Sequence, residues 1–245
     1  MLMLRSVLFY LGYAVTLIPH ASLCVLLGWM LPLHTRYRYF VKWNGFVVWW
    51  VGVCCGVRYE VQGWEKVPKE PFVLLSNHQS PWETIYLYYA FQPLCAVLKR
   101  ELFRIPFFGW ALWMLNPIAI DRNKRRNARD SLLSQGKAQL DNGISILVFP
   151  EGTRGAPGLD RKYYTGGAEL AIAAGAKVLP VAHNAGVYWP ARKLVKKPGT
   201  ITVVIGDPID TTGRESRELT EQVKAWVATV LPLAEQQAAS QQEAS

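Results

Sequence analysis

Phe72-Val73-Leu74-Leu75-Ser76-Asn77-His78-Gln79-Ser80-Pro81-Trp82-Glu83 passes from a short apolar run into a polar turn and then into the opening of a helix. Ser is a preferred N-cap and Pro a preferred first helical residue, so Ser80 and Pro81 mark the helix start. An uninterrupted apolar strand suits a sheet covered on both faces. A strand end that leads through a turn into a helix is where α/β sheets hold ligands.

The same alternation continues outward on both sides. Apolar runs at Val57–Val61, Ala96–Leu98, Ile118–Ile120, Ile144–Phe149, Val178–Val181 and Ile201–Ile205 join Phe72–Leu75 as expected strands. Pro81–Phe91, Phe107–Leu115, Lys124–Leu140, Gly167–Ala174 and Glu215–Leu231 read as helices. The expected fold class is α/β, a single domain over residues 57–232 with a largely parallel sheet flanked by helices. Residues 1–56 are expected to form N-terminal membrane-anchoring helices. Residues 233–245, rich in Gln, Ala and Ser with little to bury, read as a flexible tail.

From Ser6 to Leu33 no side chain carries a formal charge. About 20 apolar residues suffice to cross a bilayer as a helix. The run is too long for a signal peptide, and no small-x-small cleavage site leads into a polar mature start. Arg36, Arg38 and Lys42 follow, then a second apolar run, Phe46–Val57, that is too short to cross. Two arrangements fit: Ser6–Leu33 crosses the bilayer, or Pro19 and His20 break it and the apolar stretches dip into one leaflet as a hairpin. The Trp, Tyr, Lys and Arg residues here are of the types that anchor at a membrane interface.

Lys and Arg number 27 against 18 Asp and Glu, a net charge of +9. Such a surface suits anionic headgroups, a phosphorylated substrate or nucleic acid. No P-loop or nucleic-acid motif supports the last. Cys24, Cys54, Cys55 and Cys95 form no C-x-x-C pair, so reduced, buried thiols are expected, with neither disulfides nor a zinc site.

His78 lies in the turn before the helix and Glu83 in its first turn. On one helix their offset would set them about 140° apart, but the turn lets the imidazole fold back toward the carboxylate. A His held by a carboxylate can take a proton from a hydroxyl. Ser80-x-x-Glu83 is equally a capping box, in which Glu83 bonds the N-cap amide; one carboxylate has oxygens for both roles. Glu151-Gly152-Thr153-Arg154-Gly155, after the strand ending at Pro150, is either a turn that offers N–H groups and a guanidinium to a phosphate or an ordinary surface turn. Asp121-Arg122 ends another strand. The cations Lys124, Arg125, Arg126 and Arg129 follow on a helix start that disfavours them by roughly 0.3–1 kcal/mol each, which hints at an anionic partner. No G-x-S-x-G nucleophile motif is present.

Four blocks in order resemble the glycerophospholipid acyltransferase family. They are Asn77-His78-Gln79-Ser80 with an acid at 83; Lys99-Arg100-Glu101-Leu102 through Pro106 and Gly109 to Ile120-Asp121-Arg122; Phe149-Pro150-Glu151-Gly152-Thr153-Arg154; and Val178-Leu179-Pro180-Val181-Ala182. The likeness covers residues 60 to 207 and is greatest to the bacterial members that acylate 1-acylglycerol-3-phosphate. It implies transfer of a fatty acyl group from acyl-CoA or acyl carrier protein to the sn-2 hydroxyl, giving phosphatidate for phospholipid synthesis. It implies His78 as general base and Glu83 as its orienting acid. Arg154 would hold the acceptor's phosphate, in a loop shaped by Glu151, Gly152 and Thr153, with Arg122 and Lys99 as further candidates for that anion.

The implied partners are a lysophospholipid, the donor thioester and an anionic membrane surface, with no nucleic acid, cofactor or metal. The implied location is the bacterial inner (cytoplasmic) membrane, with the active site facing the cytoplasm. The chain departs from the family in one respect: the usual acid is Asp, and here it is Glu83. Two rivals remain: an acyltransferase for another lysolipid, such as lyso-ornithine lipid or lysophosphatidylethanolamine, and a non-enzymatic membrane-surface lipid-binding protein.

Overall fold

The computed structural model describes the backbone of residues 1–120 and 125–243, and the side chains of these except 125–127 and 236–243. Seven strands, β1 (Val57–Gln62), β2 (Phe72–Ser76), β3 (Leu94–Lys99), β4 (Ile118–Ile120), β5 (Ser145–Val148), β6 (Lys177–His183) and β7 (Gly199–Ile205), form one sheet in the order β1-β7-β6-β2-β5-β3-β4. From β6 to β4 every pairing is parallel; β7 runs antiparallel to β6 and parallel to β1 at the edge. Each expected strand is present. The central ones were readable because they are buried on both faces: every residue of β2 and of β5 is buried.

The helices are α1 (Leu2–Gly28), α2 (Leu33–Phe40), α3 (Lys42–Cys55), α4 (Pro81–Ala90), α5 (Phe108–Trp113), α6 (Arg125–Asp141), α7 (Gly166–Ala174), the short α8 (Ala185–Tyr188) and α9 (Ser216–Glu243). They pack as two groups: α1 with α3 and α5, α3 in turn with α4, and separately α7 with α6 and α9. Because β6, β2, β5, β3 and β4 run the same way, the segments that follow them emerge along one sheet edge. His78, Lys99, Glu151–Arg154 and His183 all come from that edge.

One open alternative is decided and one expectation is corrected. Pro19 does not break the first apolar run: α1 is one helix, long and apolar enough to cross a membrane. The hairpin turn comes later, at α2. The Arg5 Nε donates to Cys54 O (2.6 Å), the Trp50 Nε1 to Phe9 O (3.2 Å) and the Trp43 Nε1 to Thr16 Oγ1 (3.0 Å), so α3 runs back along α1. An interior proline sacrifices one helical hydrogen bond; packing against α3 and α5 outweighs it. The chain's end is the second case. α9 continues through Leu231, where the helix was expected to stop, and takes in most of the expected tail. Ala, Gln and Glu are strong helix formers, and buried Ala234 accepts a 2.8 Å hydrogen bond from Asn184 Nδ2, which docks this turn against β6's end.

Candidate active site

Ser80 caps α4 as its sequence predicts: Oγ accepts from the Trp82 amide at 3.0 Å, and Glu83 reaches back to the Ser80 amide at 2.9 Å. That reach brings Glu83 beneath the turn holding His78. The His78 Nδ1 lies 2.8 Å from Glu83 Oε1, and the Gln79 amide donates to the same oxygen at 3.1 Å. One oxygen thus holds the His78 ring and caps α4 together, where separate oxygens were expected. Oε2 is buried with no partner among the described residues.

Burial alone would raise the Glu83 carboxyl. Neighbouring His183, the bond from His78 and the Ser80 amide outweigh it and hold Glu83 below the usual carboxylate range. The hydrogen bonds dominate this balance, because His183 is itself kept neutral by burial. An ionised carboxylate only accepts, so Nδ1 of His78 donates to it and Nε2 is left on the far side of the ring. The imidazole is mostly buried and lies flat on Phe149, with ring centroids 3.8 Å apart and planes 16° apart. This stacking and the Glu83 bond fix the ring on two sides.

The loop after β5 is wired to the same turn. Glu151 Oε1 accepts from the His78 amide at 2.9 Å, the Gly155 amide donates to His78 O at 2.8 Å, and the Arg154 Nε donates to Ser80 O at 3.0 Å. Gly152 sits at φ 70, a left-handed conformation that glycine adopts without strain. It lets the chain turn back so that Arg154 returns toward α4, where its Nη2 is 3.4 Å from Thr84 Oγ1. Two of the guanidinium's five N–H groups are engaged in these bonds, and the side chain is exposed enough to offer others to an anion.

The expected residues do not all converge. Thr153 is exposed at the loop tip. Lys99 ends β3, two strands from β2 in the sheet order and roughly 10 Å away on strand spacing; it shares the edge but not the His78–Glu83 contact. Arg122, with Asp121 and Lys124, lies outside the described residues.

Three participants went unread in the sequence. His183 is fully buried at the end of β6. Its Nδ1 accepts from the Ala185 amide (3.3 Å) and its Nε2 donates to Asn77 O (3.0 Å), while Asn77's side chain pairs in both directions with the His183 backbone. This clamp fixes the peptide that enters His78. Gln79 is held between the Gly186 amide and Glu235 of α9, each at 3.4 Å. Arg161 donates to Arg154 O (3.0 Å) and lies 3.9 Å from Glu151. An Asn-His pair at β2's end and a His-Asn pair at β6's end, His183-Asn184, were the available signal.

Burial pushes the Glu151 carboxyl up to about 7, with the His78 amide and Arg161 opposing. A carboxyl raised from 4.5 binds its proton more tightly in the folded state. The resulting stabilisation is full below pH 4.5 and is lost as pH rises through about 7. Glu151→Gln, which keeps an oxygen for the His78 amide, is therefore expected to gain stability over the parent at pH 8. The gain should be about 2–3 kcal/mol and should vanish near pH 4. Chemical denaturation across that range checks it; parallel pH dependences of parent and variant would contradict it.

A family model described as acyltransferase matches residues 58–184. A 1-acyl-sn-glycerol-3-phosphate acyltransferase of Pseudomonas aeruginosa is 46% identical over 232 residues, which cover 93% of this chain and 90% of that one. A mouse (Mus musculus) 1-acyl-sn-glycerol-3-phosphate acyltransferase alpha is 28% identical over 188 residues, 75% of this chain and 60% of its own length. In fold, the crystal structure of the 1-acyl-sn-glycerophosphate acyltransferase of Thermotoga maritima matches with a TM-score of 0.78 at 24% identity, over 95% of each chain.

Proposed function

Because the chain belongs to the acyltransferase family, we propose that it moves a fatty acyl group from a thioester, acyl-CoA or acyl carrier protein, to the sn-2 hydroxyl of 1-acylglycerol-3-phosphate, giving phosphatidate. The observation that supports this most is the 2.8 Å bond between His78 Nδ1 and buried Glu83, at the edge where the parallel strands end. The His78 Nε2 takes the hydroxyl proton as that oxygen attacks the thioester carbonyl. The tetrahedral adduct collapses, the C–S bond breaks, and the thiolate leaves with the proton returned by the imidazolium. Glu83 offsets the charge that His78 acquires on the way. No step of this scheme calls for a metal or cofactor.

Arg154 takes the acceptor's phosphate. It is tied to the first turn of α4 beside Glu83, so an anion held on its free N–H groups is close to the base. Charge-assisted hydrogen bonds are each worth about 1.5–3 kcal/mol, so Arg154→Ala is expected to raise KM for 1-acylglycerol-3-phosphate by roughly 10- to 100-fold. The drop in kcat should be smaller. The assay is phosphatidate formation by the detergent-solubilised protein with each donor. An unchanged KM would remove Arg154 from the acceptor site. Turnover of lyso-ornithine lipid or lysophosphatidylethanolamine, with none of 1-acylglycerol-3-phosphate, would overturn the acceptor and keep the chemistry.

The acceptor resides in a bilayer, and α1 supplies the attachment. Leu8, Leu11, Val15, Ile18, Leu23 and Leu26 are exposed along it. One end of α1 is docked by Phe9, edge-on to Trp189 and near the fully buried Lys196; the other by Gly28 against Met114. These contacts are separated by a helix length of about 28 Å, nearly a bilayer's core thickness of about 30 Å. A helix held at both ends by one domain lies alongside it, which favours immersion in one leaflet over a crossing. Exposed Arg38 and Lys42 suit the anionic cytoplasmic leaflet of a bacterial membrane, where the donor thioesters are made.

A further inference from the structure

The connection between β3 and β4 presents aromatic side chains outward, where a soluble crossover would present polar ones. Gly109, Met114 and Leu115 are buried on its inner side, so its packing requirement is met there. Outside, Ile105, Phe107, Trp110 and Trp113 are exposed, Trp113 by 64%. Phe107 is held at φ 60, a conformation rare for a bulky residue, and its ring lies 5.5 Å from that of Trp110. The shape is also locked from beneath. A Cβ on Gly109 would come 2.4 Å from Leu102 O and 2.7 Å from Phe103 O, so the turn at Arg100–Arg104 sits backbone to backbone on α5.

This apolar surface continues that of α1. Gly28 abuts Met114, whose carbonyl accepts from Arg36 Nη1 at 3.2 Å, and the next residues, Trp29 and Met30, are 70% and 63% exposed. Lys99, Arg100 and Arg104 are exposed where the connection begins. Aromatic side chains beside cations are what the headgroup region of an anionic leaflet accommodates.

We propose that residues 105–113 are a second membrane-inserting element, an aromatic wedge that enters the headgroup region of an anionic leaflet beside α1. The proposal rests on the reading of α1 as membrane-embedded. Contact along the axis of α1 and the α3 packed against it leaves the domain free to roll about that axis. A second contact off that axis fixes the roll. The wedge follows directly from the end of β3, on the edge that holds His78, so the roll it sets turns that edge toward the lipid.

The test uses the full chain in vesicles of phosphatidylethanolamine and phosphatidylglycerol. The four native cysteines are buried, so single cysteines accept an environment-sensitive fluorophore in Trp110→Cys, in Leu11→Cys on α1 and in Glu218→Cys on α9. Labels at 110 and 11 are expected to be quenched by nitroxide-bearing phospholipid and shielded from iodide, with the reverse at 218. Trp113→Cys, three residues along α5, is expected to match 110 and guards against a misfolded variant. Iodide access at 110 and 113 with lipid quenching at 11 overturns the wedge and leaves α1 in the membrane. Iodide access at 11 as well overturns the membrane reading on which the wedge depends.

Discussion

His78→Ala is expected to lower kcat for acyl transfer by about 10²–10⁴, the usual contribution of a positioned general base, while the protein stays folded. Folding is retained for local reasons. The Glu83 Oε1 keeps the Gln79 and Ser80 amides when the imidazole is removed, so the carboxylate remains paired and α4 remains capped. The His78 backbone keeps its bonds to Glu151 and from Gly155, which belong to the peptide and not to the ring. What is lost is packing on Phe149 and a contact to Glu83, within the ~0.5–3 kcal/mol range of ordinary substitutions. The rate loss corresponds to about 3–5 kcal/mol of transition-state stabilisation. Phosphatidate formation by a variant of parental circular dichroism measures it. Turnover within a few-fold of the parent would remove His78 from the chemistry and leave the family assignment standing.

The sheet was legible because its central strands obey the simplest rule available: buried on both faces, they read as unbroken apolar runs between turn residues. Edges were harder. β1 has a single buried residue, Val57, among polar neighbours. β3 begins at Leu94, just after Pro93, earlier than its apolar core suggested. For α1 the sequence left two courses open, one continuous helix or a break at Pro19, because local propensity argues for a break and only docking against α3 and α5 decides for continuity.

The candidate site divides in the same way. His78, Glu83 and Ser80 lie within six residues, so the capping box and the turn before it gave two local readings of Glu83, and the structure combines them. The clamp of Asn77 on His183 spans 106 residues, and the bond from His78 to Glu151 spans 73. Such pairings follow from the parallel order β6-β2-β5, which no local spacing encodes. A residue on a neighbouring strand's end converges only when the order puts that strand next to β2. β5 and β6 satisfy this condition and β3 does not, which is why Arg154 and His183 join the His78 turn and Lys99 stays apart.

Glu83→Gln is expected to reduce kcat by about 10²–10⁴, with Glu83→Asp losing less. Glutamine preserves the shape and can keep an oxygen for the Ser80 and Gln79 amides. It cannot offset the charge that His78 gains, and its NH₂ group would occupy the Oε2 position, buried without a partner among the described residues, at a cost of roughly 1–3 kcal/mol. Aspartate keeps the charge and gives up about one methylene of reach. It must choose between the imidazole and the cap, which a single Glu83 oxygen now serves together. Alanine is the less informative change, because it strands three donors at once and confuses folding with chemistry. The pH dependence of stability provides a second readout. Glu83 is held below its ordinary 4.5, so its contribution is present above that pH and is lost as pH falls below it. The glutamine variant should lack this acid-side loss, and denaturation between pH 3 and 6 measures it. A folded Glu83→Gln protein that turns over within tenfold of the parent would show that the carboxylate's service to α4 is its whole role and that His78 works unaided.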